Sequence, residues 1–347
     1  MVRLSYIALF LIVTSGAAPT KRELSVPNSS YGINAHVPTD AELANIQAAG
    51  IAWARVDFSW NRIQPTRGIF EWGTYDTLVE NANARNVFLH AMLVHAPQWA
   101  NGGRGPGYPA KESSDWKNFV RAVVNRYKRS IKYWGIWNEP DIASEIASPA
   151  MYVKEILIPA AEVIHELDAE GKVCAPELGR KSNWLFEVLN VAKDYVDVIT
   201  ANNYEVEPDG RRTVRSIMNK FDGRRSSLQE PSYKSVLQRA GVFRLKPFWC
   251  TETGWPTNSG GENRRDVVSE QDQARLYVDL LKQIHNHNWI DKVFFYELRD
   301  DPTYGVAKWG ILRADLSEKP AYHAYRSYMP GFRTSFTLKF HKIVYTL

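Results

Sequence analysis

The feature that most narrows the fold is an alternation. Beyond residue 28 the chain carries eight short apolar runs of strand character, with helix-like segments in most of the gaps. The runs are Ser30 to Asn34, Ala52 to Phe58, Val87 to Val94, Ile131 to Trp137, Lys172 to Ala175, Val196 to Asn203, Phe248 to Thr251 and Val293 to Tyr296. Strands joined by helical crossovers pair in parallel and bury both faces of their sheet. Eight such units in about 300 residues suit a closed (β/α)8 barrel of the TIM type, and chains of this length form such barrels as one domain. A doubly wound sheet fits less well, because no phosphate-cradling glycine loop follows the first run.

The helical segments carry their own signals. Thr39 and Glu42 have capping-box spacing, and Gly50 ends that helix. The segment from Ser114 places Trp116, Phe119, Val120, Val123, Val124 and Tyr127 on one face. Met151 to Leu167, Trp184 to Ala192 and Ser269 to His285 read as further helices.

The N-terminus reads as a secretory signal over residues 1–18: Arg3, an apolar stretch from Leu4 to Val13, then Ser15-Gly16-Ala17-Ala18. That predicts a secreted or periplasmic protein with no stable membrane insertion after cleavage. The barrel is expected over 19–330, with a basic tail over 331–347 that is either an added edge strand or a frayed end. Cys174 and Cys250 fall in non-neighbouring strands, too far apart to bridge, and are expected to be buried thiols. The net charge of +5 permits attraction to acidic polymers without demanding it. No metal-ligand spacing, cofactor motif or nucleic-acid motif stands out, so none of these is expected, and the chain is expected to be a monomer.

Two glutamates end strands in this scheme. Glu139 closes Tyr133-Trp134-Gly135-Ile136-Trp137-Asn138-Glu139-Pro140 on the fourth strand. Glu252 sits in Phe248-Trp249-Cys250-Thr251-Glu252-Thr253-Gly254-Trp255-Pro256 on the seventh. A lone carboxylate costs several kcal/mol to desolvate unless it is paired, and in barrels the C-terminal strand ends are where chemistry sits. Two carboxylates flanking a bond suit glycoside hydrolysis, one as acid and the other as nucleophile or base, with pKa values held apart. Structural salt bridges are the competing explanation.

Trp-Asn-Glu-Pro on the fourth strand and Thr-Glu-Thr-Gly-Trp on the seventh resemble the retaining glycoside hydrolases of clan A, of the family 39 and family 5 types. The resemblance runs from about Tyr31 to Tyr328 and includes Trp60 to Pro65, Gly68 to Trp72, Pro97 to Ala100, Trp309 to Leu312 and Lys319 to Tyr322. It implies Glu139 as general acid/base, Glu252 as nucleophile, and Asn138 as a ligand of the sugar 2-hydroxyl. It also implies an arginine, Arg55, that keeps the nucleophile ionised; a pair with Asp57 or Glu71 is the alternative. Tyr204 would donate to the nucleophile, although Asn202 stands where the family often has histidine. A carbohydrate substrate is the implied partner; an acidic polysaccharide is suggested only by the basic stretch after the sixth strand. The candidate substrate-binding set is Asn138, Arg55, His95, Trp99, Asn203, Tyr204, Trp255, Tyr296 and Trp309. Tyr296 is the candidate substitute for a tryptophan that many clan members carry on the last strand. His90 reads as core, and Trp60 and Trp72 as packing residues.

Arg211, Arg212, Arg215, Lys220, Arg224 and Arg225 crowd the connection after the sixth strand, where only Asp222 opposes them. Either the segment grips an anionic substrate or it is a solvated basic surface. For the whole chain a retaining glycosidase is the leading expectation. A transglycosylase on the same site and a silent polysaccharide-binding barrel are the alternatives.

Overall fold

A computed structural model describes residues 29–223, 230–258, 264–301 and 308–328. The signal-like segment, the basic tail, Arg224 and Arg225 lie outside the described residues. The strands are β1 (Tyr31–His36), β2 (Trp53–Ser59), β3 (Phe88–Val94), β4 (Tyr133–Ile136), β5 (Lys172–Leu178), β6 (Val198–Asn202), β7 (Phe248–Thr253) and β8 (Lys292–Phe295). They close in sequence order into a barrel, and β8 pairs in parallel with β1. The chain is therefore a (β/α)8 barrel, as the alternation predicts.

Strand alternation sorts the side chains into two cores. On β2, Ala54, Val56 and Phe58 face the helices, while Trp53 joins Cys174, Val198, Trp249 and Phe294 in a separate cluster inside the barrel. The Trp53 ring lies 5.5 Å from Trp249 and 5.1 Å from Tyr133, so aromatics plug the lower half of the barrel. Each buried ring of this kind contributes about 2–3 kcal/mol of hydrophobic stabilisation. Gly135 on β4 leaves the space that the Met92 and His90 side chains fill; a Cβ there would collide with both. Above this plug the interior turns polar.

The outer helices follow their signals. Thr39 and Glu42 form the reciprocal capping box of Asp40–Ala48, and Gly50 takes a left-handed φ of 76° just beyond it. Ser113–Tyr127 buries the six predicted residues. The run Met151 to Leu167 departs from one regular helix: Pro149–Tyr152 and Ile158–Leu167 flank a π-helical turn at Val153–Leu157. Pro159 has no N–H to give to the preceding turn, and a π turn is one way to absorb that loss. Cys174 and Cys250 are free and buried. Among the described residues no helix is long and apolar enough to cross a membrane, and no group of three or more acidic, His or Cys side chains is placed to hold a metal ion.

Candidate active site

Three irregular strands build the barrel mouth. Between Asn34 and His36 on β1, Ala175 and Leu178 on β5, and Cys250 and Thr253 on β7, the chain spends one residue more than its partner strand. Such bulges break the alternation and re-aim a side chain. They turn His36, Glu177 and Glu252 toward the barrel axis, and His36 and Glu177 take left-handed φ values of 51° and 54° to do so.

Arg55, pointing inward from β2, ties the mouth together. Its Nη1 donates to Glu252 Oε1 at 2.8 Å and to Asn34 Oδ1 at 2.8 Å. Its Nη2 donates to Asn138 Oδ1 at 2.7 Å and pairs with Glu177 Oε2 at 3.2 Å. The alternative pairs with Asp57 and Glu71 are not the ones formed. The Tyr204 hydroxyl donates to the other oxygen of Glu252, at 3.0 Å. Glu177 is fully buried, with His90 Nε2 3.0 Å from its Oε1. Burial works against its charge, but His90 and Arg55 outweigh that and hold its carboxyl below the usual range.

Glu139 follows β4 in a tight turn where Trp137 and Glu139 both take positive φ, 68° and 43°. Backbone of this kind costs about 1–3 kcal/mol in a non-glycine residue and persists where surrounding contacts impose it. The contacts are visible: the Glu139 amide donates to the Glu177 carbonyl at 3.0 Å. Gly179 packs against the same turn so closely that a Cβ would lie 3.1 Å from the Glu139 Cβ. One carboxyl oxygen of Glu139 accepts from the Asn202 side-chain amide at 2.8 Å, and Thr251 in turn donates to Asn202 Oδ1 at 3.0 Å.

The two carboxyls are electrostatically unequal. Burial, and then the charge of Glu252, push Glu139 up to about 7, against the Asn202 amide and the charge of Arg55. Burial also raises Glu252, but Arg55, the Tyr204 hydroxyl and His36 all oppose that rise. The carboxylate in direct contact with a guanidinium ionises first, and its charge then keeps the proton on the other. When the pair holds a single proton it therefore rests on Glu139, and the charge on Glu252.

Beside Glu252 the rim holds a second charged group. His36 bridges Asp57 Oδ2 at 2.9 Å and Glu297 Oε2 at 3.2 Å. Burial disfavours its charge, but hydrogen bonds to those carboxylates and their charges lift its pKa to about 10. Asp57 is lowered, whereas burial leaves Glu297 raised. We therefore assign the imidazolium chiefly to Asp57, the shorter contact. Burial lowers the pKa of His95, which faces Ser59 Oγ at 3.2 Å and presents a neutral imidazole.

Of the predicted binding residues, Arg55, Asn138, Tyr204, Tyr296 and Trp309 converge on the mouth. Trp309 sits edge-on to Tyr204 and Tyr296, with centroids 5.4 and 5.9 Å away, and the Tyr296 hydroxyl reaches His36 Nε2 at 3.4 Å. Trp99 is on the β3 rim, its indole N–H donated to the Gln64 carbonyl and its ring covered by Arg67 at 4.4 Å.

Two further candidates have their polar atoms engaged by loop backbone. Trp255 is fully buried and spends its N–H on the Arg212 carbonyl, so it presents no face to a sugar. Asn203 is buried, donates to the Ile217 carbonyl and accepts from the Glu205 amide, so these bonds hold the loop at a point where the residue also borders the cavity beside Glu139. Its neighbour Asn202 is the amide on the acid. Sequence reading missed Glu177, because the fifth run was ended at Ala175. It also missed His36 and Glu297, polar residues at or just beyond a strand end, and took Asp57, inside β2, only as an alternative partner of Arg55.

The basic stretch is partly neutralised from outside its own span. Arg211 pairs with Asp209, Arg215 with Glu207, and the buried Arg212 with Asp266 at 2.9 Å. Lys220 is also buried and donates to the Arg180 carbonyl at 3.0 Å. A cavity of about 360 Å³ opens here between the β4, β5, β6 and β7 loops, with Glu139 in its wall. A larger depression of about 580 Å³ lies at the opposite end of the barrel, around Lys292 and Trp249, away from both glutamates.

The glycosyl hydrolase family 10 model matches residues 47–151, which span Arg55 and Glu139. Endo-1,4-beta-xylanase 1 of Gibberella zeae is 32% identical over 84 residues, 23% of this chain and 23% of that protein. Endo-1,4-beta-xylanase C of Paenibacillus barcinonensis is 24% identical over 319 residues, 79% of this chain and 28% of that protein. The chain thus spans about a quarter of the length of these relatives. A family 39 glycoside hydrolase from Bacteroides cellulosilyticus WH2 superposes with a TM-score of 0.67 at 18% identity, covering 89% of this chain and 64% of that one, a likeness of fold. The family 10 match, the xylanase relatives and the family 39 barrel together point to the clan A glycoside hydrolases.

Proposed function

We propose that the chain is a retaining glycosidase that hydrolyses β-linked O-glycosidic bonds of a polysaccharide or oligosaccharide. The observation that carries this reading is the inequality of the pair: Glu252 rests on Arg55 and Tyr204, while Glu139 is raised to about 7. In the first step a Glu252 oxygen attacks the anomeric carbon, the carbon–oxygen bond to the leaving sugar breaks, and the Glu139 proton goes to the departing oxygen. In the second, Glu139 as base takes a proton from water, the water oxygen bonds to the anomeric carbon, and the bond to Glu252 breaks. Asn138, whose Oδ1 accepts from Arg55, would meet the 2-hydroxyl of the reacting sugar. Trp309, Tyr204 and Tyr296 offer ring faces to its C–H surface.

The xylanase relatives make β-1,4-linked xylan the first substrate to try, and the signal-like N-terminus fits an exported enzyme acting on such polymers. The test is hydrolysis followed by proton NMR of the anomeric signal. Initial formation of the β-anomer, lost in Glu139→Ala and in Glu252→Ala, is the expected result. Initial α-anomer, or near wild-type turnover in either variant, would overturn the mechanism.

A further inference from the structure

Arg180 from the loop after β5 and Lys220 from the helix after β6 (Val214–Asp222) meet at the wall that holds Glu139. Asp141 accepts the backbone N–H groups of Gly179 at 2.6 Å and of Arg180 and Lys181 at 2.7 Å. This clamp joins the loop to the Glu139-Pro140-Asp141 turn, so its position is set relative to Glu139. It also fixes the Arg180 carbonyl, the one hydrogen-bond partner of the buried Lys220 ammonium among the described residues. The Arg180 guanidinium is exposed and makes no hydrogen bond or ion pair among the described residues. Both side chains line the 360 Å³ cavity.

The other charges of the cavity are committed. Arg212 and Arg264 share Asp266, at 2.9 and 2.8 Å. Asp141 is occupied by the three backbone N–H groups, and Glu139 carries the site's proton. The charges of Glu205, Glu230 and Asp141 offset part of that of Lys220; burial, aided by the charge of Arg180, nevertheless keeps the ammonium's pKa below the ordinary lysine range. A cation desolvated and only partly compensated gains from an incoming anion.

The position of the cavity says which sugar would bring that anion. Glu139 is in its wall and Glu252 is not. The sugar that is attacked lies over Glu252, whereas the oxygen that Glu139 protonates belongs to the departing residue. A cavity that starts at Glu139 therefore receives the leaving side of the substrate.

We propose that this cavity is a leaving-group subsite for an acidic sugar, with Arg180 and Lys220 binding the carboxylate of a uronic acid residue. The proposal rests on the glycosidase reading above, and its test separates the two. Wild type, Arg180→Gln and Lys220→Met are assayed on β-linked oligosaccharides that carry uronic acid residues and on the same mixture after chemical reduction of the carboxyls to alcohols. Charge-assisted hydrogen bonds predict a wild-type preference for the acidic form of about tenfold or more in kcat/KM. Either substitution should collapse that ratio toward one, mainly through KM. Equal wild-type rates on both forms, or an unchanged ratio in Arg180→Gln, would overturn the subsite.

Should no substrate turn over, the glycosidase reading fails, and the subsite is judged by binding instead. Tryptophan fluorescence is titrated with glucuronate, glucose and inorganic phosphate in wild type and Arg180→Gln. Glucuronate binding that exceeds that of both other ligands and weakens in Arg180→Gln supports the site. Phosphate binding as tight as glucuronate, or no loss in the variant, overturns the uronate assignment.

Discussion

Arg55 donates to Glu252 at 2.8 Å from the far side of the barrel mouth, 197 residues away in the chain. The same guanidinium reaches Glu177 and Asn138, so one side chain orients the proposed nucleophile, a buried carboxylate and the amide proposed to meet the sugar.

Replacing Arg55 with lysine keeps a charge but loses the planar fork that meets Glu252 and Asn138 at once. Glu252 then loses stabilisation of its charged form. The acid limb of kcat/KM should move up by about one pH unit and turnover should fall about 10- to 100-fold. A pH–rate profile of Arg55→Lys checks this; an unmoved acid limb would separate Arg55 from the ionisation of Glu252.

Glu139 must carry its proton in the first step, so kcat/KM should fall as pH rises through about 7. In Glu139→Ala, substrates with poor leaving groups should lose about 10²- to 10⁴-fold in turnover, and aryl glycosides with good leaving groups far less. Added azide needs no base to attack. It should restore turnover of the aryl glycosides and give a glycosyl azide of retained configuration, identified by NMR and mass.

Asn202 stabilises the ionised form of Glu139 through its 2.8 Å hydrogen bond. Removing that amide in Asn202→Ala should raise the Glu139 pKa and move the alkaline limb to higher pH. Asn202→Asp should move it further, because a second negative charge then opposes ionisation. Two overlaid pH–rate profiles decide the order.

His36 links pH to stability. Its folded pKa of about 10 lies above the unfolded value of 6.5, so the native state holds a proton that the unfolded chain has lost. Its contribution is complete below about pH 6.5 and disappears as pH rises through about 10. Melting temperature should therefore fall over that window, by about 2–4 °C for each kcal/mol lost. The fall should be shallower in His36→Gln, as measured by calorimetry at pH 6, 8 and 10.

The eight strands were legible because each has its own apolar run, and the helices because caps and buried faces are local signals. Glu139 and Glu252 were legible because a carboxylate that ends an apolar run is costly without a partner. The partners were not. His36, Glu177 and Glu252 face inward only because β1, β5 and β7 each carry an extra residue against a neighbouring strand. A sequence read at period two has no way to place such a shift. The engagement of Trp255 and Asn203 was hidden for a related reason: both follow strands of the site, yet their polar atoms are taken by the backbone of the loops.

The chain's sequence thus determined the barrel, the order of its strands and the two strand ends that carry the glutamates. It did so through patterns a few residues long that repeat along the chain. Tertiary structure alone decided the unequal surroundings of the two glutamates, the neutralisation of the basic stretch and the Arg180–Lys220 pair on the wall beside Glu139. Those depend on charges tens of residues to nearly two hundred residues apart meeting at a few ångströms, where burial strengthens each interaction and closure of the barrel sets each distance.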